Sequence, residues 1–313
     1  MFERMSRGWR IARQSFALIG KDPELLMFPL ITLAMMVATW AVLTGGAAAG
    51  IYAMGPEYAS DLATRVFEAN DGDLFSELTT AEQGLGIGYA VLLGMLTTAL
   101  AVFQKAAILN TMRVRLEGGD ATLMDSVRAA WARRGDLVRW SLALWVVGAV
   151  LSLLENLGRR LPLAGQLVTT ITARLLGLAW SVTSFMVIPA MIFDECGPRE
   201  GFRRSVDAIK RTWGEGLTAH ISMGFAGLLA MLPFLALITT GVVSLASMSA
   251  DSSPALGLGL IGFGFFYFIV AQLIFSVARV LFTGALYRFA TTGQAGDAYD
   301  LELVQGAFVE KPR

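Results

Sequence analysis

Residues 25–49 read LLMFPLITLAMMVATWAVLTGGAAA, a run without one charged side chain. A helix needs roughly 20 apolar residues to cross a hydrocarbon layer of ~30 Å, so this stretch predicts a membrane span. Five further stretches qualify, at about residues 84–104, 137–154, 174–193, 217–245 and 256–278. Lipid offers no partner to an open strand edge, so each span is expected to be helical. The expected fold is an all-α polytopic membrane protein, one integral membrane domain over residues 1–313 with six transmembrane helices.

Composition agrees with that reading. Of 313 residues, 55% are apolar and 16% charged, where soluble domains carry about a quarter charged residues. Mean hydropathy is +0.59, far from the polarity of disordered chains. A single cysteine excludes a disulfide scaffold. The balance of 25 Lys+Arg against 25 Asp+Glu argues against nucleic acid as a partner.

Charge asymmetry orients the spans. With both termini inside, nineteen of the 25 basic residues fall in inner segments, including Arg4, Arg7, Arg10, Arg113, Arg133, Arg204 and Arg211. The outer loop at residues 50–83 is acidic, with Glu57, Asp61, Glu68, Asp71, Asp73, Glu77 and Glu82 opposed by Arg65. Arg159 and Arg160 in the second outer loop break the pattern locally, and Glu155 stands four residues before Arg159. The first apolar run is too long for a signal-peptide core, so an uncleaved anchor is expected. This style of charge bias and compact loops suggests a bacterial inner membrane, with residues 291–313 as a cytoplasmic tail.

Three inner segments have helical amphipathic patterns. Over residues 1–24, Phe2, Met5, Trp9, Ala12, Phe16 and Ile19 form one face and Arg4, Arg7 and Arg10 the other, as in an interfacial helix. Phe202, Val206, Ile209 and Trp213 form a second stripe opposite Arg204, Asp207 and Arg211, and Leu123, Val127 and Trp131 a weaker third. The last two align without gaps at an offset of 79 residues. Ser126-Val127-Arg128-Ala129 stands against Ser205-Val206-Asp207-Ala208, followed by Gly135-Asp136 and Gly214-Glu215. This suggests three tandem units, each an interfacial helix followed by a membrane hairpin. Asp22, Asp136 and Glu215 each stand where a spanning helix begins. Capping of orphan N–H groups and the helix dipole account for such acids, with ion or proton handling as the other reading.

Polar side chains at membrane depth are the candidate functional residues: Gln104, Lys105, Glu155, Arg174, His220, Gln272 and Arg279. Two readings of Lys105 and Arg279 stay open, snorkelling to the inner headgroups or a basic pocket for anionic lipid headgroups. Arg174 is expected at the outer boundary. A fourth helix beginning near Leu163 would instead bury it and require a partner such as Glu155. His220 reads as a hydrogen-bonded packing residue rather than a relay. Arg4, Arg7, Arg10, Arg204 and Arg211 are the candidate lipid-facing cations. Gly46 with Gly50, Gly84 with Gly88, and the cluster Gly257, Gly259, Gly262 and Gly264 are expected to let helices approach closely. Pro29, Pro189 and Pro233 are expected to kink their helices.

One histidine and one cysteine make no ordinary metal site, no Walker loop is present, and no cofactor is implied. His220-Ile221-Ser222-Met223-Gly224 lacks the first glycine of a nucleophile elbow and lies in a membrane helix. The sequence resembles a known family through Trp180, Phe185-Met186-Val187-Ile188-Pro189, Asp194-Glu195, Gly197-Pro198, Phe202-Arg203-Arg204-Ser205 and Lys210-Arg211-Thr212-Trp213-Gly214-Glu215. Lys21-Asp22-Pro23-Glu24-Leu25-Leu26 with Phe28-Pro29, and Tyr287-Arg288-Phe289-Ala290 with Gly293, extend it over nearly the whole chain. The family is one of bacterial six-helix integral membrane proteins of unknown function. It is distantly similar to the membrane region fused to some glycerophosphodiester phosphodiesterases. The resemblance implies location and architecture and transfers no catalytic residue. The function expected is non-enzymatic, an interaction with anionic lipid or with another membrane protein, including a second copy, at the cytoplasmic face. A transporter or channel with a path through Gln104, Arg174, His220 and Gln272 is the second reading, and a lipid-modifying enzyme the third.

Overall fold

A computed structural model describes residues 23–68, 78–159, 161–211, 215–247 and 254–292. The interfacial helix expected at residues 1–24, with Arg4, Arg7, Arg10 and Asp22, lies almost wholly outside the described residues. So do the tail beyond residue 292 and the side chains of Arg211, Glu215 and His220. Every regular element among the described residues is helical. A 3-10 turn at Pro23–Leu26 leads into α1 (Met27–Ala53), followed by α2 (Pro56–Glu68), α3 (Thr80–Leu116) and α4 (Leu123–Ala132). Then come α5 (Arg134–Arg159), α6 (Leu163–Ser184), α7 (Val187–Phe193), α8 (Pro198–Arg211), α9 (Glu215–Ala246) and α10 (Ala255–Thr292).

Six of these stretches are long and apolar enough to cross a membrane: Glu24–Ala53, Thr80–Leu116, Arg134–Arg159, Leu163–Phe193, Gly227–Ala246 and Ala255–Thr292. Their outward surface is apolar. Val42 is 72% exposed, Leu163 76% and Phe266 62%, and side chains like these, arrayed along whole helices, need a hydrocarbon solvent.

Helices α3 and α10 have 37 and 38 residues, about 55 Å each, well beyond the thickness of a bilayer core. Their buried residues concentrate toward the C-terminal ends, at Val102 and Ala106–Met112 of α3 and Val277–Tyr287 of α10. The core therefore gathers at one end of the bundle. There Leu25 and Phe28, Leu137 and Trp140 of α5, and Val187 to Ile192 of α7 pack between the two long helices. Trp140, Trp180 and Phe202 stack in sequence, with centroids 5.9 and 5.6 Å apart, and tie α5, α6 and α8 together. This end also holds Arg113, Arg133, Arg134, Arg139, Arg203 and Arg204 and is called the basic end below.

The short helices cover the core with small residues inward. Ser126 and Ala130 of α4, and Gly201, Ser205 and Ala208 of α8, are buried, while the larger side chains of the predicted stripes flank them. Trp131 is 61% exposed. The two aligned serines are both fully buried. Ser126 shares a 2.7 Å hydrogen bond with Thr111 of α3, and Ser205 bonds to the end of α6. The aligned serines are thus both buried but bond differently, one to a side chain and one to backbone, and the third expected unit begins outside the described residues.

Three features differ from expectation. The fourth helix begins at Leu163, after Pro162, and not at Arg174. Arg174 consequently lies about 16 Å along that helix, exposed on its surface, and makes no ion pair with Glu155. The charge that marks a boundary in the sequence thus stands within the helix. The acidic loop contains α2, anchored by Arg65 to Asp61 at 2.9 Å and to Glu82 at 3.0 Å, with the Tyr58 hydroxyl donating to Glu82 at 2.6 Å. Its acids line up at helical spacing with their partners, a pattern hidden by their polarity. Finally, Gly46, Gly50, Gly84 and Gly88 meet nothing within 4 Å of a Cβ built on them, so they mediate no close approach among the described residues.

The close approach is made elsewhere. A Cβ on Gly241 of α9 would stand 2.9 Å from the Gly257 carbonyl oxygen of α10, and one on Gly257 would stand 2.9 Å from the Gly241 oxygen. Backbone cannot yield there as a flexible side chain would. Gly241→Val should destabilise the α9–α10 pair by about 1–3 kcal/mol, read as a lowered unfolding midpoint in an SDS titration. Gly259→Ala should leave it unchanged, since Gly259 faces open space. Equal effects would contradict the crossing.

Candidate functional site

Pro189 has no N–H to offer the carbonyl of Phe185, four residues earlier, and the fourth span breaks there. Helix α6 stops at Ser184 and α7 restarts at Val187. Ser205 of α8 bridges the gap. Its hydroxyl donates to the Thr183 carbonyl at 2.7 Å and accepts from the Met186 N–H at 3.2 Å. Pro233, in contrast, sits within α9 without ending it.

The turn after α7 is held by arginines. Arg133 donates to the carbonyls of Met191 and Cys196, the latter at 2.7 Å, and Arg113 to that of Ile192 at 3.3 Å. Those of Met191 and Ile192 are orphan carbonyls at a helix C-terminus, where cations are favoured, and that of Cys196 lies in the turn before α8. Arg113 also pairs with Glu195 at 2.5 Å, a residue held in the left-handed region at φ 51°. Asp194 accepts from Arg204 at 2.6 Å and from the Tyr287 hydroxyl at 2.5 Å. Arg204 bonds Glu200 as well, at 3.0 Å. Arg204 was expected to face lipid. It is half-buried instead, because two carboxylates draw its guanidinium onto the protein. Asp136 lies in the first turn of α5, where its carboxylate pairs with Arg139 at 3.3 Å and Arg133 at 3.7 Å. Glu215 is the first residue of α9.

This network holds structure together: each acid faces a cation. The Arg113 hydrogen bond holds Glu195 below the ordinary carboxylate range, and the Arg204 hydrogen bond does the same for Glu200. Burial pushes the Cys196 thiol up, away from the reactive thiolate.

A second arrangement has the opposite character. A cavity of about 500 Å³ opens beside the helix break, between α3, α5, α6, α7 and α10. Lys105, Gln272 and Arg279 reach into it, with Ser181, Ser184, Ser276 and Thr283 on its walls. Leu109, Trp140, Ile188 and Val280 supply a buried apolar floor. No carboxylate lines it among the described residues. Neither Lys105 nor Arg279 has an ion-pair partner among the described residues. Gln104 stands behind the wall and donates to Ser276 at 3.1 Å.

The structure therefore brings four of the seven candidate polar residues together, Lys105, Gln272 and Arg279 in the cavity and Gln104 against it. Glu155 and Arg174 lie apart, and the His220 side chain is outside the described residues. Sequence reasoning missed the wall serines, which fall on apolar helices without a period of their own. Pro189 was the available signal, since the break it causes exposes Ser181 and Ser184. A more open cleft between α5 and α8 mixes Asp136, Glu200 and Asp207 with Arg139, Arg199, Arg203 and Lys210, so its cations have acids beside them.

The acid–arginine network sets a pH dependence. Carboxylates whose pKa is lowered on folding add stability above the ordinary carboxylate range and lose it as pH falls through the lowered value. The unfolding temperature in detergent should hold steady from pH 7 to about 5 and fall below about pH 4. Arg204→Ala should lower the plateau and shrink the acid drop. A variant identical to wild type at every pH would contradict the network.

The chain matches one family over residues 86–297, a stretch that includes Lys105, Arg279, Asp194, Arg204, Ser205 and Tyr287. No curated protein and no solved structure matches it, and no likeness to the membrane region of glycerophosphodiester phosphodiesterases emerges. The matched stretch runs from residue 86, within α3, through α10 and includes every wall of the cavity, and on that extent the chain belongs to DUF6159, a family of unknown function.

Proposed function

We propose that this chain is a non-enzymatic, multi-pass protein of a bacterial inner membrane that holds anionic lipid at its cytoplasmic boundary. The basic end is its cytoplasmic side, by the same charge bias that orients the spans. One observation carries the reading: Lys105 and Arg279 share a cavity that has no carboxylate among the described residues. Two unpaired cations at the rim of a low-dielectric site are costly unless an anion joins them. Lysine and arginine pockets between transmembrane helices on this side recognise anionic headgroups. The apolar floor of Leu109, Ile188 and Val280 gives the adjoining hydrocarbon a surface.

A transport path has less in its favour. It requires Arg174 to join Gln104 and Gln272, and Arg174 stands outside the cavity wall.

Each cation contributes about 1 kcal/mol toward an anionic headgroup. Purified protein in nanodiscs should retain phosphatidylglycerol over phosphatidylcholine, measured by native mass spectrometry. The double variant Lys105→Ala, Arg279→Ala should lose that preference by roughly tenfold to thirtyfold. Equal retention of the two lipids by wild type would contradict the reading, as would an unaffected double variant.

A further inference from the structure

Resting on the lipid-binding reading, we infer that the cavity beside the α6–α7 break selects a lipid phosphomonoester, an amphiphile whose headgroup ends in a doubly ionised phosphate.

Charge is the first ground. Lys105 and Arg279 bring two positive charges to one cavity, and no acid among the described residues is paired with either. A phosphodiester headgroup carries one negative charge and would compensate one cation. A phosphomonoester carries about −1.5 to −2 at neutral pH and compensates both. Where two like charges act on each other at low dielectric, the second compensating charge is worth more than in water.

Hydrogen bonding is the second ground. The lysine ammonium offers three donors and the guanidinium five. Gln272 adds an amide. Ser276 accepts from Gln104, which leaves its own O–H free to donate into the cavity. A terminal phosphate presents three oxygens to such a donor-rich wall, whereas a diester presents two and encloses the third position with its second alcohol. Arginine forks onto phosphate in bidentate fashion, and lysine meets it as a point charge.

Position is the third ground. Lys105, Gln272 and Arg279 are all exposed at the mouth, while Leu109, Ile188 and Val280 are buried beneath them. That order, charged rim over apolar floor, fits an amphiphile better than a soluble phosphate ester. The phosphate bridges Lys105 and Arg279, and the first carbons of the lipid lie on the floor.

The full chain in phosphatidylcholine nanodiscs supplies the test, with phosphatidic acid and phosphatidylglycerol as probes and native mass spectrometry as readout. Phosphatidic acid should bind about tenfold more tightly than phosphatidylglycerol. Lys105→Gln and Arg279→Gln should each erase that difference, while Lys105→Arg, which keeps charge and fold, should retain it. Glycerol 3-phosphate and inorganic phosphate at matched concentration should fail to displace the lipid. Equal binding of the two anionic lipids would overturn the phosphomonoester inference and leave anionic-lipid binding standing. Binding of neither above phosphatidylcholine would overturn both. Displacement by the soluble phosphates at matched concentration would overturn the lipid assignment.

Discussion

Helices of 37 and 38 residues exceed what a hydrocarbon layer of ~30 Å can hold, and the surplus turns of α3 and α10 organise the rest of the molecule. Where lipid can cover them, their side chains are large, apolar and exposed. Past that depth protein must do the covering. The buried runs Ala106–Met112 and Val280–Tyr287 mark that change of solvent. The short helices close over them: α4 and α8 turn serine, alanine and glycine inward so that the backbones can approach, and α7 inserts Val187, Met191 and Ile192 into the core.

Closing that end creates polar debts that the arginines settle. Breaking the fourth span at Pro189 frees backbone groups, and Ser205 takes up two of them. Ending α7 exposes carbonyls, and Arg113 and Arg133 cap them. Arg204 ties Asp194 and Glu200 on either side of the turn, and Tyr287 of α10 locks onto the same Asp194. These acids and arginines are matched, whereas Lys105 and Arg279 share one cavity with no acid on its walls among the described residues. The contrast between acids paired with arginines around the turn and two cations without a carboxylate in the cavity is what gives the cavity its meaning.

Much of this was legible in the sequence. Six apolar runs were visible because length and charge exclusion report directly on the hydrocarbon layer. Lys105 and Arg279 were singled out because a cation at that depth is conspicuous. The places that escaped are those where tertiary packing overrules hydropathy. Arg174 looked like the end of a span because a charge interrupts the window, yet Pro162 sets the start of that helix. The continuation of α3 past Lys105 was hidden by the lysine itself, although Ala106-Ala107-Ile108-Leu109 follows at once. Arg204 read as a lipid-facing cation because its partner Asp194 lies across a turn that no periodicity reveals. Ser205 was noticed through its match to Ser126, but its bond to a broken helix could only emerge in three dimensions.

The account rests on a cavity whose two cations await an anion that arrives with a hydrocarbon tail. A high-resolution density map of the protein in a native-lipid nanodisc addresses that directly. The account predicts a phosphate-sized feature between the Lys105 ammonium and the Arg279 guanidinium, continuous with density running over Leu109 and Val280 toward the bilayer. A cavity filled only by ordered water, or one closed by a carboxylate from elsewhere in the chain, would contradict it.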